Sequence, residues 1–178
     1  MRIISGQWRG RALIAPAGDA TRPTADRVRE ALFSMLSSRV GSFQGLRILD
    51  GFAGTGALGL EALSRGAAHA LFVEKDAEAI KALRRNVAAL KATADIIPAP
   101  IETIGTAHLP CDIILLDPPY LSGLGAAVLE RLAERGWIAP GALISVETSR
   151  KEALETPYEI LAVRDHGKAR LHLLRAET

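Results

Sequence analysis

The segment that constrains the fold most is Ile113–Tyr120, in which four apolar residues run directly into Asp-Pro-Pro-Tyr. Such an apolar run is typical of a strand that is buried on both faces. Because proline lacks an N–H and has a fixed φ, the strand must end here and continue as a stiff loop. The loop would hold the Asp117 carboxylate, the Pro118 carbonyl and the Tyr120 ring close together. This set suits an exocyclic amino group on an aromatic base, although a simple turn with a solvated acid also fits Asp-Pro-Pro.

A glycine-rich turn follows the predicted strand 47–50 and precedes a predicted helix over 57–65. It contains the pattern G-x-G-x-x-G at Gly54, Gly56 and Gly59. Glu74 ends the next predicted strand, where an acid can bind both hydroxyl groups of a ribose. The turn alone predicts an adenosine-containing ligand, or close helix packing without any ligand.

Asp50, at the start of this turn, helps to choose between adenosine ligands. A carboxylate here would repel a pyrophosphate and attract a cation. S-adenosylmethionine carries an ammonium, a sulfonium and a carboxylate, and its carboxylate can bind the helix N–H groups near Gly56. We therefore favour this methyl donor over NAD. An NAD-dependent oxidoreductase remains the alternative from another enzyme class.

The order of predicted elements indicates an α/β protein with a Rossmann-like, mostly parallel sheet covered by helices on both faces. Residues 1–45 form an extension with a hairpin of Met1–Ser5 and Arg11–Ala15, followed by a helix over Ala25–Leu36 that Thr24 caps. Residues 46–178 form the second unit. Its predicted strands are 47–50, 70–74, 96–97, 112–117, 142–147, 158–163 and 169–174, and its helices are 57–65, 77–90 and 126–135.

The basic residues are concentrated near the amino terminus. Residues 1–47 contain eight arginines, no lysine and three acidic residues. Arginine pairs with phosphate groups and stacks on bases, so this end is typical of a nucleic-acid contact. A general preference for arginine over lysine is the alternative, since the chain has 22 basic residues of which only five are lysines.

The remaining composition predicts a cytoplasmic, monomeric protein without a metal. Cys111 is the single cysteine, which fits a reducing compartment, and the chain has no apolar run long enough to span a membrane. The four histidines show no metal-ligand spacing.

The motifs together resemble those of the class I S-adenosylmethionine-dependent amino methyltransferases. Further segments narrow the resemblance to the bacterial 16S ribosomal RNA guanine-N2 methyltransferase family (RsmD-like). These segments are Arg2–Arg11, Arg22–Phe33, Gly56–Ala67 and Phe72–Asp76.

The resemblance implies a seven-stranded sheet with one antiparallel strand and an RNA-contacting N-terminal extension. It also implies transfer of a methyl group from S-adenosyl-L-methionine to the guanine at position 966 of 16S rRNA, leaving S-adenosyl-L-homocysteine, without a metal. The partner would be 16S rRNA or the assembling 30S subunit. Methylation of another base or of DNA adenine, and a non-catalytic RNA-binding protein, are the alternatives.

The motifs and the resemblance give three sets of expected site residues. The catalytic set is Asp117, Pro118, Pro119 and Tyr120. The cofactor-binding set is Asp50, Gly51, Phe52, Ala53, Gly54, Gly56, Glu74, Lys75 and Ile101. The RNA-binding set is Arg9, Arg11, Arg22, Thr24 and Arg27. The segments Ala99–Ile101 and His166–Ala169 depart from the family pattern, so adenine is expected to meet Ile101 and backbone groups. Glu147 ends a strand near the cleft, but the sequence gives it no role.

Overall fold

The computed structural model describes residues 1–16 and 23–178, without the side chains of residues 23 and 24. The helices are α1 (Pro23–Val40), α2 (Ala57–Ser64), α3 (Ala77–Leu90) and α4 (Leu124–Glu134). The strands are β1 (Arg47–Gly51), β2 (His69–Val73), β3 (Ala94–Ile97), β4 (Cys111–Leu116), β5 (Ile138–Ser149), β6 (Glu159–His166) and β7 (Ala169–Arg175). A short 3₁₀ turn, Ile101–Thr103, follows β3.

The strands form one seven-stranded sheet in the order β3-β2-β1-β4-β5-β7-β6. β1 to β5 pair in parallel, whereas β7 is antiparallel to both β5 and β6. The predicted fold class, with its mostly parallel sheet and closing antiparallel pair, is therefore confirmed. The chain reverses its direction of travel across the sheet between β1 and β4, and a crevice opens at the carboxyl ends of strands at such a point.

The two faces of the sheet bury separate apolar clusters, because successive strand residues point to opposite faces. In β4, Ile113 and Leu115 pack with α1, α2 and α3, whereas Ile114 and Leu116 pack with α4. Helices therefore cover both faces. The α1 residues share the first cluster with the sheet, so the N-terminal extension has no separate core among the residues described.

The N-terminal segment folds back on itself, but its predicted strands do not form a regular ladder. Its antiparallel pairing rests on one bridge, Arg2 with Ala12, and on isolated backbone bonds such as Ile3 N–H to the Arg11 carbonyl (3.0 Å). The segment is held instead by α2. The buried Glu61 carboxylate accepts the backbone N–H groups of Ile4 (2.8 Å) and Ser5 (3.0 Å). Side-chain anchoring has replaced a sheet ladder here.

Several predicted boundaries move in the structure. α1 begins at Pro23 and ends at Val40, so the prediction that Thr24 caps this helix from outside is wrong. Proline favours the first helical position because its missing N–H would be unpaired there in any case. β5 is longer than predicted and runs through Pro140 and Gly141, where its pairing with β4 shifts register. Within the described residues, no helix is long and apolar enough to cross a membrane.

Candidate active site

Three carboxylates lie on one face of the sheet at the ends of the adjacent strands β1, β4 and β5. Asp50 is in β1, Asp117 directly follows β4, and Glu147 is near the end of β5. The register pairs Asp50 with Leu115 and Leu116 with Val146, so Asp117 and Glu147 occupy neighbouring positions. The strand period of two then directs all three side chains to the α1–α3 face. No ion pair joins any of them to a basic residue in the described part of the chain.

A cavity of about 450 Å³ connects the glycine-rich turn with the Asp-Pro-Pro-Tyr loop. Its walls include Phe52 of the turn, Glu74 after β2, Ile101 after β3 and the whole loop from Asp117 to Tyr120. Lys75 and Glu147 also contribute. The two motifs that the sequence places far apart therefore face one space, which is large enough for a nucleoside-sized molecule.

The glycine-rich turn is shaped by left-handed backbone and by the Glu74 carboxylate. Phe52, Gly54 and Gly56 all have positive φ, at 58°, 58° and 89°. Glu74 Oε1 accepts the N–H of Gly54 (2.7 Å), while Oε2 accepts the N–H groups of Lys75 and Asp76 (both 2.9 Å). These three bonds fix the Glu74 carboxylate at the cavity wall, and Oε1, which accepts only one of them, retains a lone pair for a ligand hydroxyl.

Gly51 and Ile101 form the close-packed floor of the same region. A Cβ at Gly51 would meet Ile101 Cδ1 and would lie 2.7 Å from Leu116 Cδ2. Gly51 is therefore required for packing, and it lets the buried Ile101 side chain approach the turn. The expected apolar contact surface at Ile101 is thus present in the cavity wall, without a side-chain polar group from Ala99 or Pro100.

Asp50 is almost completely buried, with 1% of its surface exposed. Its Oδ2 accepts the N–H of Gly59 (2.8 Å), whereas Oδ1 has no hydrogen-bond partner among the residues that the structure describes. Burial, opposed by the Gly59 bond and assisted by the nearby Glu74 charge, raises the pKa of Asp50 to about 8. Asp50 lines a second cavity of about 270 Å³ together with Ala53 and Gly54. A buried carboxyl group with an unpaired oxygen at a cavity wall suits a cationic ligand.

Asp117 lies deep among protein atoms, although the residue keeps an exposed surface toward the cleft. Burial, the charge of Glu147, a hydrogen bond with the Glu147 side chain and, to a lesser extent, the charge of Asp50 raise the pKa of Asp117 well above the usual value for an aspartate. Tyr120 is 46% exposed and donates its hydroxyl to Glu147 Oε1 (2.8 Å). Burial and this bond raise the pKa of Tyr120.

Glu147 is the site residue whose role the sequence does not indicate. Its position in the site depends on the pairing register of β4 with β5, which the sequence does not encode locally. The one signal in the sequence is the alternation along β5, which places Glu147 on the same face of the strand as Leu143 and Ser145.

The structure describes only part of the predicted RNA-binding set. Arg22 lies outside the described residues, as does the side chain of Thr24, while Arg27 is exposed on α1. Arg9 is exposed on the folded-back N-terminal segment, and Arg11 donates to the carbonyl of Ala89 near the end of α3 (3.3 Å). Ala89 lies about one helical turn beyond Asn86, whose side chain donates to the Thr55 carbonyl of the glycine-rich turn (3.0 Å).

The described residues contain no group of three or more His, Cys, Asp or Glu that could hold a metal ion.

A family model described as "Conserved hypothetical protein 95" matches residues 1–175. The chain is 43% identical over 158 residues to ribosomal RNA small subunit methyltransferase D of Escherichia coli, covering 88% of this chain and 78% of that protein. It is 38% identical over 167 residues to the Haemophilus influenzae protein of the same name, covering 88% and 83%.

Solved structures show the same fold. A structure from Escherichia coli superposes with a TM-score of 0.87 at 38% identity, covering 100% of this chain and 98% of that chain. A magnesium protoporphyrin IX methyltransferase from Synechocystis with bound S-adenosylmethionine gives a TM-score of 0.68 at 12% identity, covering 90% and 87%. The second likeness extends only to the fold.

Proposed function

This chain belongs to the ribosomal RNA small subunit methyltransferase D (RsmD) family, and on that premise we propose that it transfers a methyl group from S-adenosylmethionine to the N2 amino group of a guanine in 16S rRNA. The observation that carries the proposal is the single cavity shared by the glycine-rich turn and the Asp-Pro-Pro-Tyr loop. A cofactor on the turn and an amino group in the loop would meet there. Ribosomal subunits assemble in the cytoplasm, which we infer to be where the protein acts.

The residues around the turn fit S-adenosylmethionine. Glu74 would bind the ribose hydroxyls, and Ile101 would contact the adenine. The unpaired Oδ1 of Asp50 favours a cationic end of the ligand, because a positive charge beside this carboxyl group offsets the cost of ionising it. A dinucleotide would instead bring a pyrophosphate toward buried acids, which disfavours NAD.

The loop fits an aromatic amino group. S-adenosylmethionine supplies the methyl group, which the amino nitrogen takes from the sulfonium with release of one proton. Asp117 and the Pro118 carbonyl would accept the two amino hydrogens, holding the nitrogen lone pair toward the methyl carbon. Such positioning can contribute about 7–11 kcal/mol to lowering the barrier. Asp117 or water would receive the released proton.

A guanine inside folded RNA must leave its stack to enter this cavity. The exposed ring of Tyr120 offers a surface on which the flipped base can stack, worth about 1–3 kcal/mol. The hydroxyl bond to Glu147 holds the ring in place, which reduces the conformational entropy lost when the base binds.

A basic surface away from the cleft would bind the surrounding RNA. Arg11 contacts Ala89 in the last turn of α3, and Arg85, four residues before Ala89, is exposed on the same side of that helix. Arg9, Arg11 and Arg27 would contact phosphates, and we also assign this role to Arg22 and Thr24 from their place in the family motif. Phosphate contacts fix the register of the RNA, while the cavity selects the base.

The test is incubation of the purified protein with radiolabelled S-adenosylmethionine and, separately, assembled small subunits, bare 16S rRNA and duplex DNA. Label should enter the 16S rRNA of at least one of the first two substrates and not DNA. Labelling of DNA alone, or of neither RNA substrate, would refute the proposed function.

A further inference from the structure

Glu147 is held in the active site by the Tyr120 hydroxyl and lies within hydrogen-bond reach of the Asp117 carboxyl group. The Tyr120 hydroxyl donates to Oε1 at 2.8 Å. Glu147 is half-buried and forms no ion pair with any basic residue described. An anchored carboxylate of this kind presents a fixed acceptor to whatever enters the cavity.

The cleft continues past Glu147 into an adjoining cavity of about 170 Å³. Asp117 and Glu147 are the two residues that line both this space and the 450 Å³ cavity. Arg29 also lines the smaller space, but its guanidinium is engaged with the Arg2 carbonyl (2.5 Å) and with the carboxylates of Asp26 and Glu61. A base that reaches between the cavities must therefore pass two adjacent carboxyl groups, neither of which pairs with a basic residue within the described ranges.

Two adjacent acceptors match one base edge better than the others. The Watson–Crick edge of guanine carries the N1–H and the N2 amino group side by side, and both are donors. Adenine and cytosine each place a ring-nitrogen acceptor next to their amino group. That lone pair would face a carboxylate with no hydrogen between them, which costs binding energy.

We propose that Glu147 determines base specificity by accepting the N1–H of the target guanine, while Asp117 holds the N2 amino group. This inference rests on the proposed function and adds to it the residue that distinguishes guanine from other amino-bearing bases. Tyr120 has two tasks in this arrangement, since its ring stacks on the base and its hydroxyl orients Glu147.

The first test uses the wild-type protein with small-subunit RNA that carries 2-aminopurine in place of the target guanine. This base keeps the C2 amino group but has a lone pair at N1 instead of a hydrogen. We expect kcat/KM for the analogue to fall by about 100-fold, as for sites built around a substrate N–H. Equal use of the two bases would overturn the proposal.

The second test exchanges the acceptor. Glu147→Gln offers an amide N–H that can donate to the N1 lone pair while its oxygen still accepts from Tyr120. The variant should lose activity on guanine and reduce the preference for guanine over 2-aminopurine by about tenfold or more. A general loss of positioning would lower both rates and leave their ratio unchanged, which would contradict the inference.

Two further variants complete the experiment. Glu102→Gln removes a charge from another wall of the large cavity, so it should leave the ratio at the wild-type value whatever it does to the rates. Tyr120→Phe keeps the ring but releases Glu147, so it should lower the ratio partially, and an unchanged ratio would contradict the anchoring role. If the wild-type protein methylates guanine RNA but these ratios do not move, the specificity inference fails while the proposed function stands.

Discussion

At the scale of single residues, the site is defined by Asp50 and Asp117, two carboxyl groups without an ion-pair partner in the part of the chain that the structure describes. Asp50 and Asp117 both have raised pKa values, chiefly because burial penalises the charged form. A cationic ligand would reverse that penalty. Such carboxyl groups destabilise the ligand-free protein and favour the complex with a cationic ligand, which is characteristic of binding sites.

The stability of the protein should depend on the ionisation of Asp50. Its pKa rises from 3.8 to about 8 on folding, so the folded state holds this proton more tightly than the unfolded state does. The free energy of unfolding should therefore fall as pH rises through this interval. Asp50→Asn removes the titration and can keep the bond from Gly59, so thermal unfolding should show a higher Tm than the wild type at pH 9 and little gain near pH 4.

The matched control for this measurement is Glu130→Gln on the exposed face of α4, which should follow the wild-type pH dependence. If Asp50→Asn declines with pH as steeply as the wild type, Asp50 is not the buried acid responsible.

The sequence predicts part of this chemistry at the residue scale. Asp117 and Tyr120 belong to a contiguous motif, so local spacing is sufficient to place them in the cavity wall. Glu147 has no such motif. Its contact with Tyr120 arises from the register between β4 and β5, and from a loop conformation that proline restricts but does not determine.

At the scale of elements, the glycine-rich turn requires glycine for two different reasons, the backbone conformation and the space for a side chain. Gly54 and Gly56 both have positive φ, which costs an L-residue about 1–2 kcal/mol. A Cβ at Gly54, which lines the 270 Å³ cavity, would have no described atom within 4 Å. A Cβ at Gly56 would lie 2.5 Å from Leu83 Cδ1. Gly54→Ala should therefore weaken S-adenosylmethionine binding with only the φ cost in stability, while Gly56→Ala should also lose about 1–3 kcal/mol from overpacking.

Calorimetric cofactor titration and urea unfolding of both variants measure the two effects. Equal losses of stability in the two variants would show that the contact with α3 is not what restricts Gly56.

The N-terminal segment is linked to α2 by Ser64, which bonds to Ser5, Gln7 and Trp8, and by the buried acid Glu61. Glu61 is fully buried, accepts two backbone N–H groups of the segment and pairs with Arg65 Nε (3.0 Å) and Arg29 Nε (3.7 Å). Glu61→Ala should reduce the free energy of unfolding by about 3–5 kcal/mol, because it leaves buried cations and N–H groups unpaired. Urea denaturation measures this loss.

Glu78→Ala is the control, since the pair of Glu78 with Lys81 is exposed and should be worth at most about 0.5 kcal/mol. A loss for Glu61→Ala no larger than that of the control would mean that Glu61 does not hold the segment.

The sequence of this chain predicts whether a segment is a helix or a strand more reliably than it predicts where that segment begins and ends. α3 occurs over the predicted residues because Asp76 caps it and its apolar positions recur at helical spacing. The N-terminal pairing is less regular than predicted because its backbone donors bond to Glu61, a residue far away in the sequence. A prediction from local propensity has no access to that partner.

At the scale of the whole molecule, Arg9 and Arg11 are not among the described residues that line the three cavities of the site. Arg9 and Arg11 should contribute to RNA affinity without taking part in chemistry. Replacing both with alanine should weaken RNA binding and flatten the plot of log affinity against log salt by about 1.5–2, the loss of two phosphate contacts. Filter binding over a salt series measures this slope, and S-adenosylmethionine affinity should not change.

The control is the double replacement of Arg164 and Lys168, two exposed residues at the β6–β7 end of the sheet. An unchanged slope for the Arg9 and Arg11 variant, or an equal change in the control, would count against the N-terminal surface as an RNA contact.

The proposed function requires that one cavity bring the methyl donor to a guanine amino group held by Asp117. Mass spectrometry of nucleosides from treated 16S rRNA tests this requirement most directly. The wild-type protein should generate N2-methylguanosine. Asp117→Ala should generate none while its affinity for S-adenosylmethionine stays close to that of the wild type. A different methylated nucleoside, or wild-type turnover by Asp117→Ala, would contradict the account.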